Sequence, residues 1–294
     1  MMKAMGKMRN NLKKTALMLA AASFFLVSFA SSAVAEVPDN PVREAYEQLL
    51  MPRIENGEKW GIAWEDLDEN IKFSYNGFSR YQSASVIKVF IMGTVYERIC
   101  YPSDENEKIE YQESYEGELR QTIEQMITVS DNEAANTLID ILGGGDTEKG
   151  KEAVNEFCES HGYKQTHLGR KFLESDPADD NYTSPSDCRK ILSEIYNGKL
   201  VNEEASEKML EILKGQTLKN KIPSLLPEGF KSANKTGEMP EGYGLGCIEN
   251  DMAIIFGPDG RDFILVILSN DLAGRNDEAQ QVIRDAARMI ALEE

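Results

Sequence analysis

Histidine is scarce in this 294-residue chain, which contains only His161 and His167, six residues apart. Many serine hydrolases rely on a histidine to take the proton of the nucleophilic hydroxyl. Neither histidine lies in a recognisable catalytic motif, so a Ser-His-Asp arrangement has little support. A nucleophilic serine in this chain would need another base, and lysine is the natural one.

Cysteine is also sparse. Cys100, Cys158, Cys188 and Cys247 are widely spaced and form no C-x-x-C or Cys/His pattern of the kind that binds metals. The cysteines therefore indicate no metal site, and nothing in the sequence implies an organic cofactor. Four cysteines allow three complete disulfide pairings, or they remain as buried thiols, and the sequence does not choose between these outcomes.

Basic residues are outnumbered, with 32 Lys and Arg against 50 Asp and Glu and a net charge of −18. Such an excess of negative charge repels the phosphates of nucleic acids and anionic lipids. The composition therefore argues against nucleic-acid and membrane-surface partners. We expect a monomer.

The first 35 residues are typical of a secretory signal. Basic residues precede a mostly apolar run, 15–30, and the small residues 33–35 form a cleavage site before Glu36. A retained membrane anchor is the alternative, but the apolar run is short for a ~20-residue span. We expect cleavage and an exported protein that is extracellular, cell-wall-associated or periplasmic, without a stable membrane anchor.

The rest of the chain changes from strand-like to helical patterns and back to strand-like ones. Strands are predicted at 60–64, 71–75, 231–239, 252–256 and 263–269, and helices at 40–51, through most of 83–214, and at 276–292. This order predicts an α+β fold for residues 36–294. An antiparallel sheet flanked by terminal helices, from 36–82 and 216–294, would carry an inserted all-helical lobe, 83–215. A cleft between two such parts is a favoured ligand site.

Three short motifs follow one another along this chain: Ser85-Val86-Ile87-Lys88, Ser130-Asp131-Asn132 and Lys235-Thr236-Gly237. An S-x-x-K pattern is expected about once by chance in a chain of this length, and each tripeptide in about a few per cent of chains. All three in order are therefore unlikely to be accidental. A second S-x-x-K, at 232–235, lies in a strand-like run where positions i and i+3 face opposite ways. Ser85 and Lys88 open a helical run and face the same side.

The three motifs resemble those of the serine β-lactamase and penicillin-binding protein superfamily, and the length and layout are most similar to class A β-lactamases. The resemblance implies a β-lactamase/transpeptidase-like fold. It also implies a serine hydrolase that acts on β-lactams or related amides through a covalent acyl-enzyme. Its partner would be a small-molecule β-lactam or a peptidoglycan-like substrate.

The resemblance assigns a role to each motif. Ser85 would be the nucleophile and Lys88 its base, with a pKa lowered by burial or by the nearby charge of Lys235. The backbone N–H groups of Ser85 and Glu238 would stabilise the oxyanion. Ser130 would pass a proton to the leaving nitrogen.

The same resemblance places the substrate. Asn132 would bind its amide side chain, and Lys235, Thr236 and Gly237 would form the site for its carboxylate. Glycine on a strand also allows a close approach to the backbone.

Two motif serines have purely structural alternatives. Ser130-Asp131-Asn132-Glu133 has the form of a helix capping box, in which the Ser130 hydroxyl would cap the following helix. Ser85 would otherwise be a polar residue in the first turn of its helix, with Ser83 as the cap.

One expected element is missing. Class A β-lactamases carry a glutamate in an R-x-E-x-x-L-N motif, and this glutamate activates the water that releases the acyl group. Aligning Arg170 puts Phe172 at the glutamate position. Glu174 is the candidate substitute. Other acidic residues nearby, which also fit a solvated loop, are Asp176, Asp179 and Asp180.

Three functions therefore remain open at the level of sequence. The first is a class A β-lactamase-like hydrolase in which Glu174 positions the water. The second is a D,D-peptidase-like penicillin-binding protein that β-lactams acylate and that releases them slowly. The third is a non-catalytic ligand-binding or sensor domain that uses the same cleft.

Overall fold

A computed structural model describes residues 41–102, 115–174, 179–239 and 247–293. The predicted leader, 1–35, and Asp176 lie outside these residues. The chain from Asp39 to Glu294 forms one compact unit. No described helix is long and apolar enough to cross a membrane.

The centre of the fold is a five-stranded antiparallel sheet with the order β2-β1-β7-β6-β5. Its strands are β1 (Lys59–Asp66), β2 (Lys72–Tyr75), β5 (Lys231–Met239), β6 (Ile248–Phe256) and β7 (Asp262–Asn270). Two short strands, β3 (Tyr81–Gln82) and β4 (Tyr182–Thr183), form a separate ladder that the sequence did not predict. This ladder ties the loop after residue 174 to the chain just before Ser85.

The described α-helices are α1 (Pro41–Ala45), α2 (Met51–Glu55), α3 (Lys88–Val95), α4 (Arg120–Thr128), α5 (Asn132–Leu142), α6 (Thr147–Ser160), α7 (Pro185–Tyr196), α8 (Glu203–Lys214) and α9 (Asn276–Glu293). The described residues of the insert between the β2 and β5 strands are therefore mainly helical, and the short strand β4 is an exception to the all-helical lobe that we expected. The exact limits of the two predicted parts, 82/83 and 215/216, stay a prediction.

The first helix runs further than the predicted 40–51. A wide π-helical turn, Tyr46–Leu50, joins α1 to α2, which continues to Glu55. Pro52 has no N–H to donate to the carbonyl four residues earlier, so the helix passes it through the wider turn rather than ending there. The chain then reverses at Gly57, whose φ is +92°.

The β6 strand starts four residues before the predicted Met252. Its first part contains Glu249, Asn250 and Asp251, a polar run that hides the strand pattern in the sequence. All three are buried, because each finds polar partners inside the protein.

The sheet separates two apolar cores. On β7, Ile264, Val266 and Leu268 pack into the core beneath the inserted helices. The alternate residues, Phe263, Leu265 and Ile267, pack against the terminal helices on the other face. Because both faces are covered, this strand is buried along nearly its whole length. The predicted α+β fold, with an antiparallel sheet and flanking helices, is confirmed.

Candidate active site

Side chains from all three motifs meet at the Ser130 hydroxyl. The Nζ of Lys235 donates to Ser130 Oγ at 2.8 Å. The Nζ of Lys88 lies 3.5 Å from the same oxygen and donates to the Ser130 carbonyl at 2.8 Å. It also donates to Asn132 Oδ1 at 2.7 Å. Residues distant in sequence thus form one hydrogen-bonded group.

Ser85 opens onto a cleft beside this group. The cleft has a volume of about 330 Å³, and Ser85, Ser130, Asn132, Thr236 and Glu238 are among its lining residues. Ser85 is partly exposed, whereas the residues on either side of it are buried. Its hydroxyl is therefore placed where a small molecule can reach it.

Ser85 lies in a short 3₁₀ turn, Ala84–Ile87, which leads directly into α3. Ala84 has a φ of +45°, a strained conformation for a residue with a side chain. Its N–H donates to Gln82 Oε1 at 2.6 Å. Ser83 occupies the cap position, but its hydroxyl makes no capping bond and donates to the Ala84 carbonyl at 3.2 Å. The prediction of Ser83 as a side-chain cap is wrong, because Gln82 restrains this turn instead.

Lys88 is fully buried within the apolar start of α3. Burial lowers the pKa of its amine to about 7, while the nearby carboxylate of Asp131 acts to raise it. The aromatic ring of Phe172 lies 4.4 Å from Nζ. Of the two causes that we expected, burial is the one that accounts for the lowered pKa of Lys88. Such an amine is a usable proton acceptor near neutral pH.

The capping alternative for Ser130 is wrong. The cap of α5 is Asp131, whose carboxylate accepts a hydrogen bond from the N–H of Ala134 at 2.7 Å. Ser130 precedes the cap and has a φ of +59°, a strained conformation that turns its side chain away from the helix start. Its hydroxyl is thus free to contact the two lysines.

Lys235 is fully buried on β5. Burial lowers the pKa of its amine well below the usual value, and the charge of Lys88 lowers it further, while Asp251 opposes this. Its Nζ also donates to the Thr236 carbonyl at 2.7 Å. The two motif lysines are therefore both buried in one low-dielectric region, bridged by one hydroxyl.

Gly237 allows the strand and the Ser85 turn to touch. A Cβ at this position would lie 2.9 Å from the Ser83 carbonyl oxygen and 3.0 Å from the Ser85 nitrogen. Any larger residue would push the turn away from β5. We expected Gly237 to allow a close approach to the strand backbone. In the structure, the backbone of the turn that holds Ser85 makes this approach.

Phe172, which the alignment on Arg170 puts at the position of the family's glutamate, is buried. Its backbone is fixed by Asn136, which donates to the Phe172 carbonyl at 3.1 Å and accepts from its N–H at 2.8 Å. Its ring covers the Lys88 amine. Among the described residues, no carboxylate forms an ion pair with Lys88.

Glu174 lines the cleft, but its side chain is exposed. Its carbonyl accepts from Arg170 at 2.8 Å, and Arg170 forms an ion pair with Asp180 at 2.7 Å. Asp179 is bound to His167 at 2.8 Å. Two of the neighbouring acidic residues are therefore structural. The role of Glu174 as a substitute carboxylate stays a prediction.

Histidine and cysteine residues are not among those that line the cleft. His161 is bound to Glu97 at 2.6 Å, away from the residues that line the cleft. The four cysteines are all free and buried. Neither residue type supplies a nucleophile or a base to this cleft.

Comparison with known proteins identifies the family. A model of the beta-lactamase enzyme family matches residues 41–293. The chain belongs to the beta-lactamase enzyme family. The predicted resemblance is thereby confirmed at the level of the family.

Individual beta-lactamases are distant relatives. The extended-spectrum beta-lactamase PER-1 of Pseudomonas aeruginosa is 26% identical over 176 residues, which are 58% of this chain and 55% of that protein. The chain thus spans just over half the length of PER-1. Beta-lactamase 3 of Bacillus cereus is 26% identical over 254 residues, which are 80% of this chain and 77% of that protein.

Solved structures show the same fold. An ancestral class A beta-lactamase matches with a TM-score of 0.68 at 22% identity, covering 85% of this chain and 100% of that one. The beta-lactamase from Sphaerobacter thermophilus matches with a TM-score of 0.67 at 22% identity, covering 85% and 95% of the two chains.

Sequence reasoning missed the polar residues behind the site. Lys221, Glu249, Asn250 and Asp251 are buried beside β5 and contact the backbone or side chains of the K-T-G strand. The one available signal was the polar run at 249–251, directly before an apolar strand.

We expect the carboxylate of Asp131 to tune the Lys88 amine. In Asp131→Asn the helix cap is retained, because asparagine caps as well as aspartate, but the negative charge is lost. The pKa of Lys88 should then fall below about 7. Carbon-13 NMR of lysine labelled at Cε measures this titration, with Lys88→Met to assign the signal.

An unchanged or higher pKa of Lys88 in Asp131→Asn would contradict this electrostatic description.

Proposed function

We propose that this protein is a serine acyl-transfer enzyme that opens β-lactam rings, or related amides, by forming an ester with Ser85. The observation that carries the proposal is the fully buried Lys88 amine, with a pKa of about 7, at the end of the turn that holds Ser85. A solvated lysine would be protonated at neutral pH and could not take the serine proton.

The first step forms the acyl-enzyme. The Ser85 oxygen attacks the amide carbonyl carbon and gives its proton to the neutral amine of Lys88. The carbonyl electron pair moves to the oxygen, where the N–H groups of Ser85 and Glu238 stabilise it. The Ser85 turn and the Gly237–Glu238 segment of β5 are close enough to serve one carbonyl.

The second step breaks the C–N bond. As the oxyanion collapses, the departing nitrogen takes the proton of the Ser130 hydroxyl. The Lys88 ammonium returns a proton to Ser130 across their 3.5 Å separation and becomes neutral again. Lys235, at 2.8 Å, holds the Ser130 hydroxyl in place. The role of Asn132, Lys235 and Thr236 in substrate binding is part of this proposal.

Release of the acyl group is expected to be slow. Hydrolysis of the ester needs a base beside the attacking water, and general bases accelerate such steps by about 10²–10⁴-fold. By sequence alignment Phe172 replaces that base, and its aromatic ring lies 4.4 Å from the Lys88 amine. This contact favours the penicillin-binding alternative, with a long-lived acyl-enzyme, over rapid turnover.

Rapid hydrolysis through Glu174 is the second candidate. Its support is that Glu174 lines the same cleft as Ser85. Two observations argue against this role. The Glu174 side chain is exposed, and Arg170 donates a hydrogen bond to the Glu174 backbone carbonyl and not to its carboxylate. A base must be held within hydrogen-bond reach of the water that it activates.

A fluorescent penicillin should label the protein covalently, and Ser85→Ala should abolish the label. Mass spectrometry should find an adduct with the mass of the intact, ring-opened penicillin that persists after the free drug is removed. Nitrocefin hydrolysis measured on the same sample should be slow and limited by release.

Absence of any adduct under all conditions would refute the acyl-transfer proposal and favour a non-catalytic binding domain. Rapid nitrocefin turnover without an accumulated adduct would refute slow release. In that case Glu174→Gln tests the second candidate, which requires a large loss of turnover in this variant.

Phe172→Glu should speed the release of the acyl group by about 10²-fold, since it introduces a general base beside Lys88. The new carboxylate should also raise the pKa of Lys88 and slow acylation at pH 7. Decay of the adduct is followed by mass spectrometry.

Phe172→Gln is the matched control, because it has the size of glutamate but no basic carboxylate. Equal decay rates in the Glu and Gln variants would show that opening the site to water, and not base catalysis, controls release.

A further inference from the structure

A third buried lysine lies behind the candidate active site, outside the three motifs. Lys221 directly precedes a short 3₁₀ turn, Ile222–Leu225, and is fully buried. Burying an ammonium group is costly, and an apolar residue at such a position is often at least as stabilising. The contacts of Lys221 therefore need an explanation beyond folding stability.

Lys221 holds two backbone carbonyls. Its Nζ donates to the Gly237 oxygen at 2.9 Å and to the Asn250 oxygen at 3.2 Å. Its charge is paired with Glu249 at 2.5 Å, and the carboxylate of Glu238 lies 3.7 Å away. The ammonium is thus directed at the backbone of β5 and β6, and not at the cleft.

Glu249 is itself fixed by the last helix. Its Oε1 accepts from Asn276 at 2.8 Å and from Gln280 at 3.2 Å. Both donors lie on α9, which packs on the far side of the sheet. The position of Lys221 is therefore set by a rigid element and is not adjustable by a ligand.

The peptide group that Lys221 contacts is the one that carries the Glu238 N–H. In a trans peptide the carbonyl and the N–H point in opposite directions. Gly237 pairs with Asn250, and Lys221 reaches both carbonyl oxygens, so the Gly237 oxygen faces β6. The Glu238 N–H then points away from β6, towards the open edge of β5. The Ser85 turn packs over the preceding residue, where a Cβ on Gly237 would lie 3.0 Å from the Ser85 nitrogen.

We propose that Lys221 is a positioning residue for acyl transfer: it fixes and polarises the Gly237–Glu238 peptide, so that the Glu238 N–H becomes a stronger donor to the oxyanion. This inference rests on the proposed function. A charged donor on the carbonyl oxygen draws electron density from the amide nitrogen, and hydrogen bonds in such a chain strengthen one another. Both effects are larger in a buried, low-dielectric region.

The role differs from that of a substrate-binding residue. Lys221 has no exposed surface, and its Nζ is already surrounded by two carbonyls and a carboxylate. It should therefore affect the rate of ester formation and leave the affinity for the intact β-lactam unchanged.

The test compares the double variant Lys221→Met/Glu249→Gln with Glu249→Gln alone. The double variant removes the charge without leaving Glu249 buried and unpaired, which would be strongly destabilising. The single variant keeps the Lys221 side chain, with the carboxylate of Glu238, 3.7 Å away, as its remaining partner. Thermal unfolding of both confirms that they are folded.

Two measurements are made on each variant. The first is the ¹H and ¹⁵N chemical shift of the Glu238 amide in the free protein, which reports polarisation without any reaction. The second is stopped-flow acylation by benzylpenicillin, which separates the acylation rate constant from the dissociation constant of the initial complex.

We expect the Glu238 amide proton to shift upfield in the double variant only. The acylation rate constant should fall about tenfold, a part of the 10²–10³-fold effect of deleting an oxyanion donor. The dissociation constant should stay within about twofold.

Four other outcomes overturn the inference. An unchanged Glu238 amide refutes polarisation, and a shifted amide with an unchanged rate shows that acyl transfer does not use it. A change in the dissociation constant alone makes Lys221 a binding residue, and an equal loss of rate in both variants assigns the effect to Glu249. The Glu238 amide could shift in the double variant although the unaltered protein forms no adduct with benzylpenicillin. The polarisation of the peptide by Lys221 would then be supported, and the proposed function would be refuted.

Discussion

The candidate active site depends on one energetically unfavourable feature. Lysine side chains are buried at the junction of the sheet and the inserted helices. Lys88, Lys221 and Lys235 are all fully buried. An ammonium group removed from water loses much of its solvation free energy, so it is driven either to pair with a carboxylate or to release its proton. The structure uses both responses. Lys221 is paired with Glu249, whereas Lys88 donates to the Ser130 carbonyl and to Asn132 and forms no ion pair among the described residues.

The scaffold supplies the conditions for this burial from both sides of the sheet. The apolar start of α3 and the ring of Phe172 exclude water from Lys88. Behind β5, desolvation raises the pKa of Asp251 to about 6, against the lowering effect of Lys221. Strained backbone at Ala84 and Ser130 brings the two hydroxyl-bearing segments to the cleft. Strain of this kind is commonly found where a fold fixes reactive groups.

Local patterns in the sequence predicted most of the fold. The strands with apolar runs, the helical insert and the closing helix were all recognisable, because their signals lie within a few residues. The start of β6 was missed, since its polar side chains are buried only through partners such as Lys221 and Ile222, which are distant along the chain. The β3–β4 ladder was missed because two-residue strands carry no periodic pattern.

Only the motif residues of the candidate active site could be predicted from the sequence. The sequence singled out Ser85, Lys88, Ser130 and Lys235, and the structure brings them to one region. It could not choose between capping and chemistry for Ser130, because that depends on one backbone dihedral angle. The contact of Phe172 with Lys88 and the support of the Gly237 carbonyl by Lys221 are tertiary contacts that no local pattern contains.

Membership of the beta-lactamase enzyme family leaves the outcome of the acyl-enzyme open. The relatives named above are 22–26% identical to this chain over the aligned residues, and the common fold holds a site without the expected glutamate. The acylation that we propose needs only the lysine, the two serines and the oxyanion donors. Release needs a further base, and that is where this chain departs from the family pattern.

The most direct test of the central claim is the pH dependence of the acylation rate constant for benzylpenicillin. If a neutral Lys88 takes the Ser85 proton, the rate should be low when the amine is protonated and rise with pH through a midpoint of about 7. A rate that is constant from about pH 5 to 9, or a midpoint near the usual lysine pKa of about 10.4, would contradict the account.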